Sequence, residues 1–185
     1  MLPLLLAILC IGLCSSMIGR EESEGSIELL LARPISRTKL LVMKALAGSL
    51  VILIVKIIGS AATILMAQAV HLGIPLGNIV EACFACFMLV LTFSGLAFLL
   101  AATGEGRAAA LGVTVVYAMG GYIISSLATT VHWLKAPSMI FPYHYYRSAD
   151  ILHGTFDWSS IIFFAVFTLV CVLLAWLVFR RRDIA

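Results

Sequence analysis

Charge and reactive side chains are scarce in this chain and gather in a few places. The densest run is Arg20-Glu21-Glu22-Ser23-Glu24-Gly25-Ser26-Ile27-Glu28-Leu29-Leu30-Leu31-Ala32-Arg33-Pro34-Ile35-Ser36-Arg37. From Ser26 to Ala32 it reads as a short helix. Ile27, Leu30 and Leu31 share one face, and Glu24 and Glu28 lie opposite at i,i+4 spacing. Pro34 ends that helix, because a residue before proline avoids the α region, and Ser36 suits the cap of the helix that follows. Such a segment presents an apolar stripe rimmed by charge, a surface for touching another molecule in the cytoplasm.

A second isolated charge is Lys56, twelve residues past Lys44 inside an apolar run. A cation at that depth faces protein or a wet cavity. Two readings stand: a pathway residue that meets an anionic substrate, or a packed or snorkelling lysine paired with a neighbouring helix. Gln68 and Glu81 fall near helix ends and read as interface residues.

Five cysteines are present, with Cys10 and Cys14, and Cys83 and Cys86, each about one turn apart. Cys83-Phe84-Ala85-Cys86 has redox or metal spacing. No histidine or carboxylate cluster accompanies it, which favours small apolar packing residues. His71, His132, His144 and His153 are scattered, without a carboxylate pair that would make a catalytic group. No G-x-x-x-x-G-K-[ST], H-E-x-x-H or G-x-S-x-G pattern occurs; Gly104-Glu105-Gly106-Arg107 lacks the lysine and the spacing of a phosphate loop. The sequence therefore predicts no catalytic residue, no metal site and no nucleotide site of its own. Any ATP would be bound by another chain.

The elements that hold these residues are membrane helices. Of the 185 residues, 63% are hydrophobic and 11% charged, against about a quarter charged in soluble domains. A helix needs about 20 apolar residues to cross a bilayer. Five runs meet or nearly meet this, at about 2–18, 45–70, 79–102, 108–131 and 158–179. The first lacks the basic start of a signal peptide and runs straight into Arg20. The expectation is an all-α polytopic membrane protein of one domain, residues 1–185, with five transmembrane helices. Residues 19–44 form a cytoplasmic coupling segment. Residues 132–157 form an external segment, whose Trp133, Pro137, Pro142, Tyr143, Tyr145 and Tyr146 predict one or two short interfacial helices.

Orientation follows from basic residues. With the connector inside, the cytoplasmic side holds nine (Arg20, Arg33, Arg37, Lys39, Lys44, Arg107, Arg180, Arg181, Arg182) and the outside two, Lys135 and Arg147. The C-terminus is then cytoplasmic and Met1 external.

The connector is similar to that of permease subunits of ABC type-2 transporters, which reads approximately E-x-x-x-G-T-x-E-x-L-L-x-x-P-x-S-R. Glu21, Gly25, Ser26, Glu28, Leu30, Leu31, Pro34, Ser36 and Arg37 fill it, with Ser26 in the threonine place. Lys44 matches a lysine that commonly follows. The ending Phe179-Arg180-Arg181-Arg182-Asp183-Ile184 resembles the family's F-x-x-R-D-[IL] tail, and Pro142-Tyr143-His144-Tyr145 its external loop. The resemblance implies a plasma-membrane exporter subunit, not itself an enzyme, paired with a second permease copy and docked on cytoplasmic ATPase subunits that hold ATP and magnesium. It implies that Glu21, Glu22, Glu24, Ser26, Glu28, Leu30, Leu31, Arg33, Pro34 and Arg37 meet the ATPase. Because that family has six membrane helices, it also implies a first helix upstream of residues 2–18. Nucleic acid is not among the expected partners. The alternative is a membrane anchor or immunity-type protein that moves nothing.

Overall fold

The computed structural model describes residues 3–12, 37–71, 73–103, 107–128, 130–146, 148–152, 154–155 and 157–181. Every regular element among them is helical. We label the α-helices α1 (Pro3–Gly12), α2 (Arg37–Ala69), α3 (Leu76–Ala102), α4 (Arg107–Leu127), α5 (Lys135–Ser138), α6 (Ser148–Leu152) and α7 (Trp158–Arg181). Two 3₁₀ turns, His132–Leu134 and Pro142–Tyr145, flank α5.

Among the described residues, four helices are long and apolar enough to cross a membrane: Val42–Ala69, Leu76–Ala102, Ala108–Leu127 and Trp158–Val178. The chain is thus a multi-pass helical membrane protein. The first expected span is described only over Pro3–Gly12, which is too short to cross; residues 13–18 lie outside the described set, as does the connector up to Ser36. The fourth helix stops at Leu127, earlier than the apolar run suggested. There the amides of Ala128, Thr130 and Val131 turn back onto the carbonyls of Ile124 and Leu127.

Tight turns reverse the chain between spans. Between α2 and α3, His71 and Gly73 take the left-handed backbone, with φ 49° and 65°. Pro75 then precedes α3 with φ −56° and ψ 134°, extended as a helix entrance requires. The described part of residues 132–157 divides into four short pieces rather than the one or two helices expected. Pro142 is the reason at its centre. Phe141 before it is extended, at φ −95° and ψ 135°, so α5 cannot run on into the next turn.

The helix α3 is the centre of the bundle. It packs most extensively on α7, and also on α2, α4, α6 and the Pro142–Tyr145 turn. Its buried residues lie on more than one face and include Ala85, Leu89, Phe93, Ala97 and Ala101, as expected of a helix that is apolar all round. One core joins α1 (Ala7, Cys10, Ile11), α2 (Ile52), α3 (Leu89, Val90, Phe93) and α7 (Ile161, Phe164). A second, of Phe98, Ala101, Ala102, Ala110 and Ala175, closes the end that holds Arg180. Lipid tails are as apolar as these side chains, so close contact and not burial from water drives the association. Small residues set how close the helices come. A β-carbon on Gly95 would lie 3.4 Å from Thr168 Cγ2 and 3.6 Å from Cys171 Cβ, both on α7.

Four buried or half-buried hydroxyls inside the spans bond to their own helix, whereas the buried Ser125 hydroxyl of α4 has no partner. Thr92 donates to the Met88 carbonyl at 2.9 Å, Ser94 to Val90 at 2.8 Å, Thr114 to Ala110 at 2.7 Å and Thr168 to Phe164 at 2.8 Å. The hydroxyl is satisfied without water and the helix can bury it.

Two glycines should therefore respond differently to the same change. At Gly95 an added methyl meets ordinary contact, so Gly95→Ala should be tolerated and Gly95→Leu should cost about 1–3 kcal/mol of overpacking. At Gly121 a β-carbon would stand 2.8 Å from Phe141 Cδ1 and 3.2 Å from its Cβ. Gly121→Ala should then push Phe141 off its seat and lower the thermal midpoint in detergent below that of Gly95→Ala. Equal midpoints for the two alanine variants would contradict this packing.

Candidate functional site

On α2 the buried positions are Gly48, Ile52 and Lys56. Their four-residue spacing makes one stripe facing the bundle. Lys56 thus occupies a core register, at 7% exposure, with Gly59 and Ser60 half-buried beside it. Its ammonium lies within electrostatic reach of the Cys83 thiol on α3. Among the described residues it has neither an ion pair nor a hydrogen bond. Glu81 is the nearest carboxylate in sequence to Cys83. Two residues back, it points about 200° away around α3. An intramembrane cation left in this state costs about 2.5–3.5 kcal/mol on insertion scales.

Cys83 and Cys86 share a face of α3, one turn apart. The segment between α4 and α7 folds onto α3. Tyr143 packs its ring on Phe93 at a centroid separation of 5.2 Å and on Tyr122 at 5.6 Å. Tyr145 stacks on Phe163 at 4.1 Å. Tyr146 is half-buried beside this cluster. Tyr143 is 7% exposed, and its hydroxyl is buried without a hydrogen-bond partner. Burial, with the neighbouring Cys86 adding to it, pushes both the Tyr143 and Tyr146 phenols well above the usual tyrosine value. Both stay protonated and can act as O–H donors at any physiological pH.

Next to this cluster a cavity of about 390 Å³ opens, with His144, Asp150, Thr155, Asp157, Ser159 and Ser160 on its walls. Much of its polarity serves the fold. The Asp157 carboxylate accepts from the Ser159 amide at 3.0 Å and its hydroxyl at 2.8 Å, which caps α7. Thr155 Oγ1 donates to the Asp150 carbonyl at 2.6 Å. Ser138 Oγ donates to the Lys135 carbonyl at 2.8 Å and lies 2.9 Å from His144 Nδ1. A hydroxyl has one proton, so both bonds together require that His144 Nδ1 carry the hydrogen. Asn78 ties the turn before α3 to this segment by donating to the Leu152 carbonyl at 3.0 Å.

Of the residues singled out from sequence, Lys56 is buried on α2, and Cys83 and Cys86 are half-buried and buried on α3. His71 stands exposed in its turn. Glu21, Glu22, Glu24, Ser26, Glu28, Leu30, Leu31, Arg33 and Pro34 lie outside the described residues, and Arg37 opens α2. Sequence reasoning took Tyr143 and Tyr146 only as interfacial aromatics. Their i,i+3 spacing matches that of the two cysteines and was the available signal. Among the described residues no group of three histidine, cysteine or carboxylate side chains converges as a metal site would. The cluster offers hydroxyl donors in a low-dielectric setting, which suits holding an acceptor group.

Over residues 1–185 the chain matches the family described as "Protein of unknown function (DUF2705)" and belongs to it. A search of curated proteins found no match.

Two phenols should separate by mutation. Tyr117 donates to the Ile140 carbonyl at 2.9 Å, so Tyr117→Phe loses a hydrogen bond, costing about 0.5–1.5 kcal/mol, while Tyr143→Phe removes an unsatisfied buried hydroxyl and should be neutral or stabilising. Denaturant unfolding in detergent reads both. A Tyr143→Phe loss equal to that of Tyr117→Phe would contradict the assignment.

Proposed function

We propose that this chain is the membrane-spanning permease subunit of an ATP-driven ABC exporter in the plasma membrane. Its connector couples a cytoplasmic ATPase to movement of the membrane helices. The observation that carries the reading is the pattern from Glu21 to Arg37 leading straight into α2. With 33 residues, α2 is about 50 Å long, against a hydrocarbon thickness of about 30 Å. Its first turns, with Lys39 exposed, would stand in the headgroups or beyond them, and would carry any push on the connector rigidly into the bundle. Because α2, α3 and α7 share cores, such a displacement would reach Lys56 and the external segment. In this reading five spans cross the bilayer, the coupling helix spans Ser26 to Ala32, and Lys56 lies on the pathway. A second copy completes the translocation unit, ATP and magnesium belong to the ATPase, and the C-terminus is cytoplasmic. At that end Arg180 lies 5.6 Å from the Trp176 ring centroid, the place of an interfacial anchor.

An affinity-tagged chain should co-purify from its native membranes with an ABC-type ATPase. Glu28→Lys and Leu31→Asp should each cut that recovery by about tenfold or more, the scale of an interface hot spot, with the helix content of the membrane domain unchanged. Equal recovery of the ATPase by wild type and both variants would remove the coupling assignment. For topology, a cysteine at position 144 (His144→Cys) should react with an impermeant maleimide from outside intact cells. Reaction only from the cytoplasmic side would invert the orientation.

A further inference from the structure

A narrow groove runs between three spans, walled by Gly48 and Ile52 of α2, Leu91, Gly95 and Phe98 of α3, and Val172 of α7. Two of these positions are glycines, with no side chain to fill the space between the helices. Three hydroxyls also line it, and each donates its proton back into its own helix. Ser49 bonds the Ala45 carbonyl, Ser94 that of Val90 and Thr168 that of Phe164, all at 2.8 Å. The groove is therefore apolar in what it offers an occupant, apart from Lys44, which stands at one end.

That end can be placed in the bundle. Ala45 and Trp176 both pack on the core of Phe98, Ala101 and Ala175, and Arg180 lies 5.6 Å from the Trp176 ring centroid. Lys44 and Arg180 thus share one end, where two cations and a tryptophan sit together as they do at a headgroup level. Lys44 is two residues inside the span Val42–Ala69. From there to Ile52 is eight residues, so the groove leads about 12 Å along α2 toward the bilayer centre.

Size and place select the occupant. The groove has room for about 40 Å³, far below the several hundred Å³ of a site for a compact small molecule. A helix is broader still. A single acyl chain is slender enough to lie along it, and at this depth lipid is the surrounding solvent. A phospholipid whose chain enters the groove brings its phosphate level with the Lys44 ammonium, and that charge favours an anionic headgroup.

We propose that this groove holds one acyl chain of an anionic phospholipid, with Lys44 on the headgroup. The lipid fills the space that α2 leaves against α3 and α7. The site goes beyond the coupling reading and does not depend on it.

The full chain is purified in mild detergent, titrated with phosphatidylglycerol or phosphatidylcholine of the same chains, and followed by native mass spectrometry. One phosphatidylglycerol should be retained at about tenfold lower concentration than phosphatidylcholine, the scale of one charge-assisted contact. Lys44→Gln should abolish that preference and Lys44→Arg should keep most of it, with circular dichroism unchanged in both. Lys39→Gln removes an exposed cation of the same helix that does not line the groove, and should leave the preference intact. Gly48→Leu fills the groove and should lower retention of both lipids. Phosphatidylglycerol with a photoreactive group midway down one chain should crosslink to the peptides that hold Ile52, Leu91 or Thr168. Equal retention of the two lipids would overturn the proposal, as would a preference that survives Lys44→Gln or crosslinks confined to other faces. Displacement of the lipid by an equal concentration of glycerol 3-phosphate would overturn the lipid assignment in favour of a free phosphate. A dimer that crosslinks through Gly48→Cys and excludes lipid would give the groove to a second copy. No ATPase enters this assay, so its failure leaves the coupling reading to be judged on ATPase recovery alone.

Discussion

Hydrocarbon gives a polar group no water to turn to, and that constraint organises the whole bundle. Backbone amides close on themselves by forming helices. Side-chain hydroxyls close on themselves by bonding a carbonyl one turn back, as Thr92, Ser94, Thr114 and Thr168 do. With polarity cancelled locally, α3 can bury residues on several faces and sit at the centre. The neighbouring helices then expose their leucines, isoleucines and valines to lipid, as α2 does with Leu46, Leu50, Leu53 and Ile57. Van der Waals fit holds them in place, which makes Gly95 and Gly121 matter out of proportion to their size.

The same constraint identifies the place where function could reside. A residue that breaks the local cancellation is costly, and its cost must be offset by another segment, another molecule or a pathway. Lys56 breaks it inside a span, and Tyr143 breaks it in the segment that caps the bundle. Ser125 breaks it near the end of α4, its buried hydroxyl also without a partner. The cavity beside His144 has already committed Asp157 to capping α7 and Ser138 and His144 to each other.

Part of this was legible without coordinates. Apolar runs of span length, the prolines and glycines of the turns, and a lone lysine in a hydrophobic stretch are local signals, and each survives in the structure as a helix, a turn or a buried cation. Helix lengths were less legible where apolar composition outlasts the helix, as after Leu127. The Phe93–Tyr143 ring contact was not legible at all. It joins residues fifty positions apart, and it depends on Pro142 breaking the segment so that Tyr143 turns inward. The connector has the most distinctive sequence in the chain and lies outside the described residues, so its reading rests on residue pattern.

The connector leads in sequence into α2, the helix that carries the buried Lys56, and this ties the connector reading to the membrane bundle. A straight helix transmits displacement along its axis with little loss, because its backbone bonds all run along that axis. Lys56 lies about five turns from Arg37, roughly 28 Å at 1.5 Å per residue. Ile52, fully buried one turn before it, is clamped in the same core as Leu89 and Phe93. A connector that shifts α2 by even a fraction of a turn must then change the register between Lys56 and Cys83, since the core around Ile52 cannot deform continuously. A buried ammonium is costly wherever it sits in a span, so any such displacement must also change the energy of the turn of α2 that carries Lys56.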